Sequence, residues 1–112
     1  MEHMRYIRVP KDIKAMKDYD YGVQKDEQMK ELILSESQYN IFYTLKVFQL
    51  INEECGVIID DYEEEVLSLE KIPLALKIVN KIIQNSNDIN LLKFKNMLEL
   101  AIKYRTIVGF DF

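Results

Sequence analysis

Between residues 60 and 65 the chain reads Asp60-Asp61-Tyr62-Glu63-Glu64-Glu65, five carboxylates and one aromatic in six positions. A buried carboxylate without a partner costs several kcal/mol or gives up its charge, so such a run has to lie at the surface. Directly before it, Gly56-Val57-Ile58-Ile59 is a short apolar run opened by a glycine. The chain therefore leaves its core near residue 59 and emerges into an acidic exit. Any fold it adopts must turn that exit toward water, a cation or a basic partner.

The elements around the exit can be read from period and caps. Arg5-Tyr6-Ile7-Arg8-Val9 is aromatic and β-branched and ends at Pro10, which predicts a strand over about 4–9, near a sheet edge. Residues 11–31 are less legible. Ile13, Met16 and Val23 stand as isolated apolar anchors, and Asp18-Tyr19-Asp20-Tyr21-Gly22 reads as a turn with exposed tyrosines. Lys30 to Leu34 suggests a short strand. Ser35-Glu36-Ser37-Gln38 is a capping box, and Ile41, Phe42, Leu45, Phe48 and Ile51 follow at helical spacing. They predict one helix over about 36–54, closed by Gly56. Residues 56–67 read as extended or irregular, with Val57-Ile58-Ile59 favouring a strand or equally opening a helix turn. Ser68 reads as a second cap, and Ile72, Ala75, Leu76, Val79, Ile82 and Ile83 as the inner face of a second helix with Pro73 in its first turn. Asn85-Ser86-Asn87-Asp88 is a polar turn that caps a third helix over about 89–105. Leu91, Phe94, Leu98, Ala101 and Ile102 point inward and Lys95 outward. Residues 106–112 read as a closing strand that pairs with the first. The expected architecture is α+β: three main helices packed on a small sheet that includes both chain termini, in one domain spanning 1–112.

Charge is segregated along the chain. Residues 1–34 balance, residues 35–70 set nine carboxylates against Lys46 alone for a balance of −8, and residues 71–112 carry +4. An acidic middle repels nucleic acid and attracts a basic protein surface. The net charge of −4 argues against a nucleic-acid partner, even though Lys93, Lys95, Lys103 and Arg105 follow a helix-turn-helix-like order. Those lysines read as a solvated helix face. Cys55 is the sole cysteine, so no internal disulfide is possible, and a cytoplasmic location is expected. Lysines interrupt every apolar stretch before it reaches the ~20 residues of a membrane span.

No catalytic pattern accompanies the carboxylates. A calcium loop needs spaced oxygens around a central glycine, and zinc needs histidine and cysteine clusters where only His3 and Cys55 exist. The three glycines, at 22, 56 and 109, are too scattered for a phosphate loop. The expectation is a binding protein with no catalysis, cofactor or metal. The acidic block then has two readings, a solubilising loop or a dock for a basic protein. On the second, Asp60, Asp61, Glu63, Glu64 and Glu65 meet cationic groups and Tyr62 anchors, with Asp18, Tyr19, Asp20 and Tyr21 as a second contact stretch. Carboxylates spaced along an extended backbone can also imitate phosphates.

Three stretches carry a family likeness: Leu34-Ser35-Glu36-Ser37-Gln38-Tyr39-Asn40, Leu50-Ile51-Asn52-Glu53-Glu54-Cys55-Gly56, and Ile59-Asp60-Asp61-Tyr62-Glu63-Glu64-Glu65. With the closing Val108-Gly109-Phe110-Asp111-Phe112, they resemble the small acidic immunity proteins of bacterial polymorphic-toxin and contact-dependent growth inhibition systems. The resemblance implies an inhibitor that binds one cognate toxin domain, often a nuclease, inside the producing cell. A small intracellular adaptor binding a basic host protein is the alternative.

Overall fold

The capping box closes in both directions: Ser35 Oγ accepts from the Gln38 amide at 3.3 Å, and Gln38 Oε1 accepts from the Ser35 amide at 2.8 Å. From here the computed structural model, which describes residues 2–112, departs from a single long helix. Helix α2 (Glu36–Thr44) ends, Lys46 takes a left-handed φ of 61°, and α3 (Val47–Cys55) restarts in a new direction. The core explains the break. On one continuous helix Phe42 and Phe48 would point about 120° apart. With the chain bent between them both are buried, their rings 5.5 Å apart. Gly56 closes α3 in the left-handed conformation, its amide on Asn52 O at 3.0 Å.

The remaining elements are β1 (Arg5–Pro10), α1 (Ile13–Asp20), β2 (Met29–Leu34), β3 (Glu64–Leu67), α4 (Ile72–Ile83), α5 (Ile89–Tyr104) and β4 (Val108–Asp111). The fold is α+β, five helices on an antiparallel sheet of order β2-β1-β4-β3 that includes strands from both ends of the chain. The two terminal strands pair as expected, Ile7 opposite Phe110 and Arg8 opposite Gly109. However, β1 is an interior strand and not an edge one. Pro10 is tolerated because it lies beyond the last β1–β4 pair, where no ladder bond needs its missing amide.

One sheet face carries Ile7, Val9, Leu32, Leu34, Leu67, Val108 and Phe110 into the core. Phe48 lies at the centre, with Tyr39, Phe42, Phe94, Phe110 and Phe112 at ring separations of 5.2–6.1 Å. In α4, Ile72, Ala75 and Val79 are fully buried, while Leu76, Ile82 and Ile83 are half-buried. In α5, Leu91, Phe94, Leu98 and Ala101 are buried as the spacing predicts, but Ile102 is exposed and Lys95 is half-buried. Asp88 caps α5, its Oδ2 accepting from Leu91 N at 3.0 Å. Ser68 opens a short turn at Leu69–Lys71 without a side-chain cap bond, and α4 itself starts at Ile72 with Pro73 in its first turn.

The opposite sheet face is covered only in part, by α1. This helix is capped by Asp12, which accepts from Ala15 N at 2.7 Å. Ala15 is its one buried residue, so it has no apolar stripe to read. Ile13 and Val23, expected as anchors, are exposed, and Met16 is half-buried.

Candidate protein-binding surface

Residues 57–59 form neither a strand nor a helix turn, and β3 starts only at the last two residues of the acidic run, Glu64 and Glu65. Asn52 decides this. Its side-chain amide donates to Ile59 O at 3.0 Å and accepts from Ile59 N at 2.8 Å, satisfying both backbone groups of that residue as a neighbouring strand would. Val57 and Ile59 are buried, Ile58 points outward, and the chain is delivered to the surface at Asp60.

A turn follows, closed by Glu63 N donating to Asp60 O at 3.3 Å. Tyr62 has a φ of 62°, a conformation that costs a bulky residue roughly 1–2 kcal/mol. It is 80% exposed, and its ring stacks on His3 at 4.5 Å. Asp61 is not a free charge: Arg5 Nε meets Oδ1 at 2.7 Å and Nη2 meets Oδ2 at 2.9 Å. Glu65 turns back along the chain, accepting from Ile58 N at 2.8 Å and Val66 N at 2.9 Å. Asp60, Glu63 and Glu64 are exposed. Among the described residues, no basic side chain reaches ion-pair distance of any of the three.

The second stretch ends α1 and does not form an open loop. Asp18 accepts from Lys14 at 2.8 Å and Gln28 at 2.9 Å, and both partners hold its carboxyl below the usual range. Tyr19 is half-buried, contrary to the expected exposure. Its hydroxyl donates to Asp111 Oδ2 at 3.0 Å, and burial followed by the Asp111 charge raises its pKa far above the ordinary tyrosine value. Asp20 and Tyr21 are exposed.

Distant stretches meet here. An open groove of about 1090 Å³ runs between the end of α1 and the β4–β3 side of the sheet, lined by Tyr19, Asp20, Tyr21, Glu64, Glu65 and Asp111 among others. Asp18, Asp60, Asp61, Tyr62 and Glu63 are outside its lining. Sequence reasoning missed the positioning residues His3, Arg5, Arg8, Asn52 and Asp111. Arg8, itself in the groove lining, joins Glu31 and Asp111, each at 2.6 Å. Arg5 and Arg8 show one available signal: one sits on each face of a strand, and each needs a carboxylate when covered.

Among the described residues, no group of three or more His, Cys, Asp or Glu is placed to hold a metal ion. No helix among them is long and apolar enough to cross a membrane. Cys55 is buried and its thiol pKa is pushed up by that burial, the opposite of a nucleophile's environment.

No family model matches the chain, and no curated protein does. Among solved structures it is similar to the Neisseria DNA mimic protein DMP12, with a TM-score of 0.60 and 20% identity over 97% of this chain and 98% of that one. The two chains share a fold over nearly their whole lengths.

Proposed function

We propose that this chain is a non-catalytic inhibitor. Its acidic surface occupies the cationic, nucleic-acid-binding site of a partner protein, presenting carboxylates where phosphates would lie. One observation carries the reading: the acidic turn is anchored on three sides yet leaves its outward carboxylates unpaired. Asn52 holds Ile59, Arg5 holds Asp61 and His3 lies against Tyr62. The anchoring ties the turn to the fold, and it also holds the outward carboxylates in place. A binding surface gains affinity, because less motion is lost on association. The fold shared with a protein named as a DNA mimic supports the same reading. The resemblance to immunity proteins narrows it further: the partner is a cognate toxin domain, a nuclease, held inactive in the cell that makes it.

Capture with the tagged chain from cells that make it, followed by mass spectrometry, tests the proposal. A basic nucleic-acid-binding partner is expected, displaced by duplex DNA and lost when Asp60, Glu63 and Glu64 become Asn, Gln and Gln. A partner that still binds DNA while attached, or that ignores the triple substitution, overturns the mimic reading. A DNA-displaced partner without nuclease activity removes the toxin reading alone.

A further inference from the structure

Strand β3 ends the sheet, so among the described residues one of its edges has no neighbouring strand. Phe112 N donates to Glu63 O at 3.2 Å, which fixes the phase of the β3–β4 ladder. Bonds are exchanged at Glu65 with Phe110 and at Leu67 with Val108. Glu64 and Val66, the alternate residues, therefore turn their amides and carbonyls to the open side. Among the described residues, no hydrogen bond from that side reaches Glu64 N, Glu64 O or Val66 O. Val66 N is covered by the carboxylate of its own neighbour, Glu65.

An open edge of this kind is a template for another strand. Charge selects which one. There is no Lys or Arg between residues 47 and 70, and in the groove Asp20, Glu64, Glu65 and Asp111 outnumber Lys17 and Arg8, of which Arg8 is already paired with Glu31 and Asp111. A second copy of the chain would set Glu64 and Glu65 against themselves, and opposed like charges destabilise a pair of strands. The other end strand, β2, carries Lys30 beside a Glu31 already paired with Arg8, and offers no comparable acidic edge.

We infer that β3 receives an extended, lysine- or arginine-rich segment of a protein partner as a fifth strand, with its cationic side chains entering the groove between Tyr21, Asp20 and Glu64. Its main chain bonds Glu64 and Val66 and displaces the Glu65 carboxylate from Val66 N. Tyr21 offers an aromatic face to a cation, while Val66 and Ile107 offer apolar surface to the side-chain stem. The inference rests on the protein-binding reading of the acidic surface and adds the place and mode of contact.

Val66→Pro separates the two. The substitution removes an amide that the β3–β4 ladder does not use, so the ladder is retained, and the Glu65 carboxylate loses its Val66 bond but keeps the one from Ile58 N. The probe is a blocked peptide of alternating lysine and valine, titrated at low and high salt with amide exchange followed by NMR. Wild-type protein is expected to bind with slowed exchange at the Glu64 amide, and Val66→Pro to bind at least about tenfold more weakly. Val66→Lys keeps the amide but opposes the incoming cations. It is expected to weaken binding likewise, with its amide spectrum reporting an intact fold. Salt-sensitive binding that Val66→Pro leaves unchanged, or protection at β2 in place of Glu64, overturns strand addition and leaves the acidic-surface reading standing. A wild-type protein that does not bind the peptide overturns strand addition as well.

Discussion

Arg5 and Asp61, 56 residues apart in sequence, form a two-pronged ion pair at 2.7 and 2.9 Å. The guanidinium also donates to His3 O at 3.1 Å and lies 4.2 Å from the centroid of the Tyr39 ring. Arg5 is only 4% exposed. Asp61 therefore serves the fold first, compensating a buried cation and tying the first strand to the acidic turn.

Removing one partner of such a pair leaves the other buried and unpaired. Asp61→Ala is expected to cost about 1–3 kcal/mol in urea unfolding, while Asp60→Asn, which keeps the exposed Oδ1 that accepts from Asp61 N at 2.8 Å, should stay within about 0.5 kcal/mol. Arg5→Lys should also destabilise, because a lysine keeps the charge but not the fork or the stacking on Tyr39. Equal effects at Asp60 and Asp61 would mean that the pair contributes nothing.

Gly109 and Tyr19 are matched in shape. A Cβ on Gly109 would fall 2.5 Å from Tyr19 Cζ and 2.7 Å from Cε2, so the ring has to leave. Gly109→Ala alone is expected to cost about 1–3 kcal/mol by overpacking and by loss of the Tyr19–Asp111 bond. In a Tyr19→Ala background the three atoms nearest the added methyl are gone, so the same substitution should cost much less. A double-mutant cycle measures the difference, and additive effects would show that the ring does not constrain Gly109.

Tyr19 also predicts an alkaline limb of stability. Its pKa is raised in the folded state, by burial first and Asp111 second. A raised folded pKa gives stability that is complete below the unfolded tyrosine pKa of about 10 and declines as pH rises above it. Urea midpoints should thus fall between about pH 9 and 11, and Tyr19→Phe should flatten that fall. Absorbance titration should show Tyr19 ionising late, with Tyr39, whose pKa burial also raises. Unaltered alkaline behaviour in Tyr19→Phe would contradict this assignment.

The parts legible in the sequence were those set by local chemistry. Ser35, Gly56 and Asp88 mark element ends through bonds made within a few residues, and the β-branched and aromatic ends of the chain pair because both have to be covered. The break at Lys46 carries no glycine or proline. It is imposed by packing Phe42 and Phe48 together, which is a tertiary demand. Helix α1 buries only Ala15, so period could not announce it. The acidic run could be read as surface from its charge, but not which of its members are free. That division depends on Arg5 and Asn52, whose partners are distant or disguised as ordinary polar residues.

The acidic run therefore contains two populations, and stability separates them. Asp60, Glu63 and Glu64 pair with no cation among the described residues, and they lie in a stretch whose charges repel one another. Replacing them with Asn, Gln and Gln should leave stability unchanged or raise it by up to about 0.5 kcal/mol, the gain shrinking as salt screens the repulsion. Glu65 holds the Ile58 and Val66 amides. Glu65→Ala removes both acceptors from a half-buried position, so a loss of about 1–2 kcal/mol is expected that salt does not restore. Urea unfolding of the two variants at low and high salt provides the comparison. A triple variant that is the less stable of the two would place Asp60, Glu63 and Glu64 in the scaffold and take them out of the surface offered to a partner.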